Sequence, residues 1–353
     1  MDASITERRL ASLALPLTIA AALAACSPDS VAPLTPVVDL RPPELLEAGP
    51  SGARSFAARF DEAVALVPDS LGLEPEGIAV QGAASGSELT VAFEADQSPG
   101  LDYRLSGEVD DSRGNRTRFL VRFSGWNENP PAMRISEVQT GKNGSQTRPH
   151  RDYVEMEVLK DGNIGGEELA WTSSVKTMTY RFPGIEVEAG DFIVLHLAPE
   201  GIEAEVDELG ADTTVSGGID ATVDGRDLWS GALALPDESG AMSLRSRPGG
   251  PVVEGFFYAS DEKSGAMGDD KLAAFASDLA RSGAWPAAGQ APTWDDAFKW
   301  KPSSARSISR CAAAAGAASW YVTLAGGQSP GAVNPPPPSV QALALKRSVK
   351  SKR

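Results

Sequence analysis

The sequence predicts a mainly β protein: two tandem antiparallel β-sandwiches, the second with long insertions that include one short helix. Three observations predict it. Apolar residues recur at every second position in many short runs, and a period of two puts one face in a core and the other in water. The chain of 353 residues holds 35 glycines and 26 prolines, so turns are frequent and helical stretches scarce. Only residues 269–281 show convincing helical spacing, with Leu272, Phe275, Ala276 and Leu279 on one face and Asp269 or Asp270 as cap.

At the start, Arg8 and Arg9 precede an apolar run of 16 residues from Leu10 to Ala25, broken by Pro16. A membrane span needs about 20 residues. A charged start, a short apolar core and small closing residues read instead as an export signal. The close, Leu23-Ala24-Ala25-Cys26, resembles the lipobox of bacterial lipoproteins. That resemblance implies a signal peptide over residues 1–25 and a lipidated Cys26 as mature N-terminus, with palmitate-like chains holding the membrane. Ala22-Leu23-Ala24 also suits ordinary signal cleavage, and an uncleaved anchor is the third reading. Residues 26–36, with Pro28, Pro33 and Pro36, read as a tether.

Charge narrows the partners. The formal net charge is −16; residues 1–25 are neutral and the last eight carry five basic side chains, leaving −21 on residues 26–345. So acidic a body excludes nucleic acid as the expected partner, because phosphate contacts need a basic surface.

The first domain is expected over residues 37–125. Leu89, Val91 and Phe93 alternate with polar or small neighbours, as do Tyr103, Leu105, Gly107 and Val109, then Phe119, Val121 and Phe123. Six or seven short strands in under 100 residues make a sandwich. Phe60-Asp61-Glu62-Ala63-Val64, Tyr103-Arg104-Leu105 and Asp111-x-x-Gly114-Asn115-x-Thr117 together resemble a bacterial Ig-like domain of the surface-layer type. The resemblance implies a spacer or presentation module. Asp110, Asp111 and Asn115 offer oxygens for calcium, but Asp and Asn beside Gly are first of all turn-formers.

Residues 126–132 are the expected linker, with Gly125 to Pro131 as hinge. Beyond it, residues 133–334 carry Ile135-Ser136-Glu137-Val138, Tyr153-Val154-Glu155-Met156, Arg181-Phe182-Pro183, Ala189-Gly190-Asp191, Ser307 to Arg310, Trp320-Tyr321-Val322 and Ser329 to Asn334. In that order they resemble the lamin-tail domain, which implies a second Ig-like sandwich. It departs from the family where Met156-Glu157-Val158 replaces the usual Leu-x-Asn. Insertions are expected at about 199–239, a long acidic surface excursion, and at about 259–303. In the latter, Trp285, Trp294, Phe298 and Trp300 form either an aromatic interaction site or a small core packing the insertion onto the sandwich. Residues 335–353 form a proline-rich, basic, disordered tail.

Chemistry is sparse. With Cys26 lipidated, Cys311 has no disulfide partner. His150 lies in the polar loop from Gln146 to Asp152, and His196 in the strand from Phe192 to Leu197, expected with a satisfied hydrogen bond. Glu155 and Glu157 share one strand face, expected to be solvated. Metal-ligand spacing, nucleophile elbows and phosphate-cradling glycines do not occur, so no catalytic residue, metal or cofactor is expected. The resulting expectation is a lipid-anchored outer-membrane or envelope protein that is not an enzyme. It would act as an interaction or scaffold module for an unknown protein or envelope polymer, with the aromatic insertion as a binding element removable without unfolding the domain. The alternatives are an accessory protein of a secreted hydrolase or nuclease system and a calcium-dependent surface adhesin.

Overall fold

A computed structural model describes residues 40–140 and 152–339, except Ala198, Ala232, Leu233, Asp269 and Gln290. Cys26, His150 and the basic end of the tail lie outside the described residues. From Pro42 onward the chain packs as one unit around two hydrophobic cores.

The first sandwich holds eight strands: β1 (Leu45–Gly52), β2 (Ser55–Phe60), β3 (Ala65–Leu66), β4 (Gly72–Glu74), β5 (Val80–Ser85), β6 (Glu88–Phe93), β7 (Asp102–Asp110) and β8 (Arg116–Ser124). One sheet runs β1-β2-β6-β5; in the other, β7 pairs with β3, β4 and β8. All these pairings are antiparallel. The predicted alternation holds, with Val121 only half-buried. Leu89, Val91, Phe93, Tyr103, Leu105, Val109, Phe119 and Phe123 are buried, and the Phe123 ring meets Phe56, Phe93 and Tyr103. Asp111 makes a turn. Its Oδ1 accepts the backbone N–H groups of Arg113 and Asn115, both at 2.8 Å, and its Oδ2 the Asn115 amide.

In the second sandwich come β9 (Ala132–Gln139), β10 (Tyr153–Lys160), β11 (Gly162–Asn163), β12 (Glu168–Thr172), β13 (Thr177–Arg181), β14 (Glu186–Val187), β15 (Phe192–His196), β16 (Arg226–Trp229), β17 (Ser239–Arg245) and β18 (Val252–Ser260). Helix α1 (Asp270–Ser282), β19 (Phe298–Trp300), β20 (Ile308–Arg310) and β21 (Trp320–Val322) complete it. The layers are β16-β15-β10-β9-β20-β21 and β13-β12-β17-β18-β19, with β11 and β14 as a separate ribbon. Two edge pairs are parallel, β15 with β16 and β18 with β19. A parallel neighbour needs a long crossover, and the two predicted insertions are those crossovers.

The acidic excursion stays at the surface over residues 199–224, where only Glu208 is buried, and is corrected beyond them: the chain re-enters the sheet through β16, and Asp227 is buried. Helix α1 turns Leu272, Ala276 and Leu279 inward as its spacing predicts. It sits over Gly255, where a Cβ would stand 2.9 Å from the Leu279 side chain.

Candidate functional site

The junction between the sandwiches is built backbone to backbone. Gly100, at φ +75°, faces Gly165 and Gly166, and a Cβ on Gly165 would stand 2.5 Å from the carbonyl oxygen of Pro99. The expected hinge is pinned there. Asn127 Nδ2 donates to the carbonyls of Asn163 and Gly165 at 2.6 and 3.0 Å, and Asn163 N–H to that of Asn129 at 2.8 Å. An ion pair between Arg181 and Asp102 crosses from one sandwich to the other.

Beside this junction lies a cleft of about 1150 Å³, lined by both sandwiches and the linker. Clefts at domain interfaces are common ligand sites, and their usual range is about 300–1,000 Å³. Four arginines line it: Arg104, Arg122, Arg181 and Arg247. Strand alternation points Arg104 and Arg122 away from the first core, and register sets them directly opposite each other across β7 and β8. Arg104 pairs with Glu74 and Arg181 with Asp102. Arg122 and Arg247 have no ion-pair partner among the described residues. Trp126, half-buried, adds an indole to the wall, its N–H backbone held by Gln97 Oε1 at 3.0 Å.

A second cluster is interior. On the outer face of the six-stranded layer, Glu137 and Glu155 are fully buried, which corrects the expected solvated face. The residues from Ser329 to Asn334 cross that face and cover it. Glu137 Oε1 accepts the hydroxyls of Ser307 and Ser309, the latter at 2.9 Å, and its Oε2 the N–H of Ser329 at 3.0 Å. Glu155 accepts the Ser136 hydroxyl at 2.5 Å and the Gly331 N–H at 2.7 Å. Burial, and next the charge of Glu137, push the Glu155 carboxyl up to about 8. Burial first, then Glu137, Glu155 and Asp220, also raise the Tyr153 phenol well above its ordinary value. Glu157, half-buried, pairs with Arg134 at 2.8 Å.

His196 closes a third group. Its Nε2 lies 2.7 Å from Asp227 Oδ1, both residues fully buried, and its ring stacks on Trp229 at 4.1 Å. Asp227 Oδ2 accepts the Thr222 N–H at 2.9 Å, and Glu208 Oε2 the Asp227 N–H at 2.8 Å. The histidine thus fastens the first insertion to the sheet through Nε2, while its buried Nδ1 has no hydrogen-bond partner among the described residues.

The aromatic residues singled out as an interaction site are placed inside. Trp285, Trp294, Phe298 and Trp300 are at most 8 % exposed and belong to the second core. Strand β18 gathers them: Phe256 meets Trp285 at 5.7 Å and Phe298 at 6.3 Å, Phe257 meets Trp294 at 6.1 Å, and Tyr258 meets Trp300 at 6.4 Å. Deleting this insertion would remove core, so its expected separability is withdrawn. Cys311 is exposed, its sulfur 3.4 Å from the Ser319 carbonyl. Among the described residues no three His, Cys, Asp or Glu side chains gather to hold a metal ion, and no helix is long and apolar enough to cross a membrane.

Fold and cleft define a mainly β protein of two packed sandwiches with an arginine-lined groove between them. Residues 131–322 match the family model TP_1001_2nd, described as a protein second domain; they make up more than half of the chain, which belongs to this family. An uncharacterized protein of Treponema pallidum (strain Nichols) is 27% identical over 174 residues, covering 49% of this chain but only 43% of that protein's length. Among solved structures, the N-terminal part of the bacterial S-layer protein SbsC is similar at 19% identity and a TM-score of 0.23, covering 40% of this chain and 37% of that one. A DUF4876 family protein from Bacteroides thetaiotaomicron is similar at 10% identity and a TM-score of 0.24, covering 57% and 75% respectively. Both scores lie well below those of a shared overall fold.

Proposed function

We propose that this chain is a lipid-anchored envelope protein acting as a non-enzymatic interaction module, with the cleft between its sandwiches as the binding element. The observation that carries the reading is the cleft itself, whose wall draws on both sandwiches and on the pinned linker. Its charged groups are guanidinium ions and exposed carboxylates, a set suited to holding a ligand rather than to nucleophilic attack. The anchor rests on Arg8, Arg9, the apolar run and Leu23-Ala24-Ala25-Cys26. The resemblance of residues 37–125 to bacterial Ig-like domains accords with a spacer or presentation role.

Replacing Cys26 by alanine tests the anchor. The Cys26→Ala protein is expected in the soluble fraction of lysed cells with an unchanged thermal transition. Retention with the membranes would overturn the anchoring, and hydrolysis of phosphoesters or peptides by the purified protein would overturn the non-enzymatic reading.

A further inference from the structure

We infer that the cleft between the sandwiches binds an anionic sugar chain, a glycan whose rings carry carboxylate or phosphate groups. This rests on the proposed reading of the cleft as the binding element and names its ligand class.

Charge is the first argument. Residues 26–345 carry −21, yet four arginines line this one groove. Arg104 and Arg122 stand directly opposite across an antiparallel pair, a placement of like charges that weakens a sheet. Glu74 offsets Arg104, and Asp102 offsets Arg181. Arg122 and Arg247 have no ion-pair partner among the described residues. A planar guanidinium fork matches carboxylate and phosphate oxygens two at a time.

The remaining wall decides between kinds of anion. Glu74 and Asp102 stay in the groove as acceptors. Carboxylates accept hydrogen bonds from hydroxyl groups, which a glycan carries on every ring and the side chains of polyglutamate lack. The ligand should therefore carry hydroxyl groups alongside its negative charge. Trp126 supplies a flat ring with apolar faces and a polar N–H, against which the C–H face of a sugar ring can lie. The volume of about 1150 Å³ admits several rings.

Hexagalacturonate and a phosphorylated mannan fragment are the probes, with neutral dextran and polyglutamate as comparisons, titrated calorimetrically into the purified full-length protein in detergent. Either charged glycan should bind, weakening with added salt; which of the two binds more tightly separates carboxylate from phosphate. Arg122→Ala and Arg247→Ala should each lower the affinity about ten-fold, the scale of a charged hydrogen bond, and Trp126→Ala should also weaken it. These side chains lie outside both cores, and an unchanged thermal transition verifies the fold. Should Arg122→Ala disturb β8, Arg247→Gln carries the test alone.

Binding no tighter than to dextran, or unchanged in the arginine variants, would overturn the inference. If polyglutamate binds best and Arg247→Ala weakens it, the glycan is wrong while the cleft remains the binding element. If no probe responds to any cleft substitution, the binding element itself is wrong.

Discussion

Glu137 and Glu155 face each other across β9 and β10 with neither carboxylate reaching solvent. Like charges so placed cannot both ionise without cost, and besides the neighbouring Ser136 the donors around them come from residues far along the chain, Ser307, Ser309, Ser329 and Gly331. The pair joins the last segment of the domain to the strands formed near its start.

This pair gives stability a particular pH dependence. Burial, then Glu137, raises Glu155 to about 8, and burial raises Glu167 to about 8, against about 4.3 for an unfolded glutamate. The folded state holds these protons more tightly, so their contribution is complete below about pH 4.3 and is lost as pH rises through about 8. Urea unfolding should show stability falling from pH 5 to 8 and levelling above. Glu108, held low by its bonds to Arg118, and Asp110, held low by Arg116, titrate below that window. In Glu155→Gln the slope should shrink, leaving the variant more stable than the parent at pH 8. An unchanged slope would remove Glu155 as the cause.

The tryptophans should divide by position. Trp285→Ala empties part of the second core and breaks the bond from its Nε1 to the Asp296 carbonyl at 2.9 Å, for an expected loss of about 3–5 kcal/mol. Trp126→Ala, on the cleft wall, should cost less than about 1 kcal/mol. Chemical denaturation of both variants measures the contrast, and equal costs would count against it.

At the junction, Gly165→Ala sets a Cβ 2.5 Å from the Pro99 carbonyl oxygen and 2.8 Å from Asn163 Oδ1. The sandwiches should lose their joint transition and melt in two steps by calorimetry. Gly49→Ala, with open space around it, is the control and should leave a single step. One transition in both would show that the junction yields.

Asp227→Ala leaves His196, the Thr222 N–H and the fold-back of residues 199–225 without their shared acceptor. Cleavage within that segment by glutamyl endopeptidase, at Glu200, Glu203, Glu205 or Glu208, should rise at least several-fold while the first sandwich stays intact. Unchanged cleavage would assign the fastening to Arg226 and Glu208 alone.

Much of this fold was legible in the residues themselves. Leu89, Val91 and Phe93 report their burial through a period of two, and Leu272, Ala276 and Leu279 through helical spacing, because both patterns are local. Glu155 misleads for the same reason. Its alternation describes a strand with one wet face, and nothing nearby announces that Ser329 to Asn334 will cover it. The cleft was equally hidden, since Arg104, Arg122, Arg181 and Arg247 stand on separate elements that only the packed junction gathers. A signal for the covered face did exist in the serines, those at 307, 309 and 329 donating to Glu137 and that at 136 to Glu155. The parallel strands β16 and β19 had none, because a crossover is a property of the returning chain.

The glycines at 100 and 165 have a consequence for how the molecule can be divided. Where two bodies meet through side chains, substitutions can loosen or retune the contact gradually. Here main chain rests on main chain, so mutual placement is inherited as a unit and leaves little room for drift. A truncation boundary at Trp126 would strip polar backbone from both halves; one placed before Pro42 would move the pair, groove included, as a single transplantable cassette.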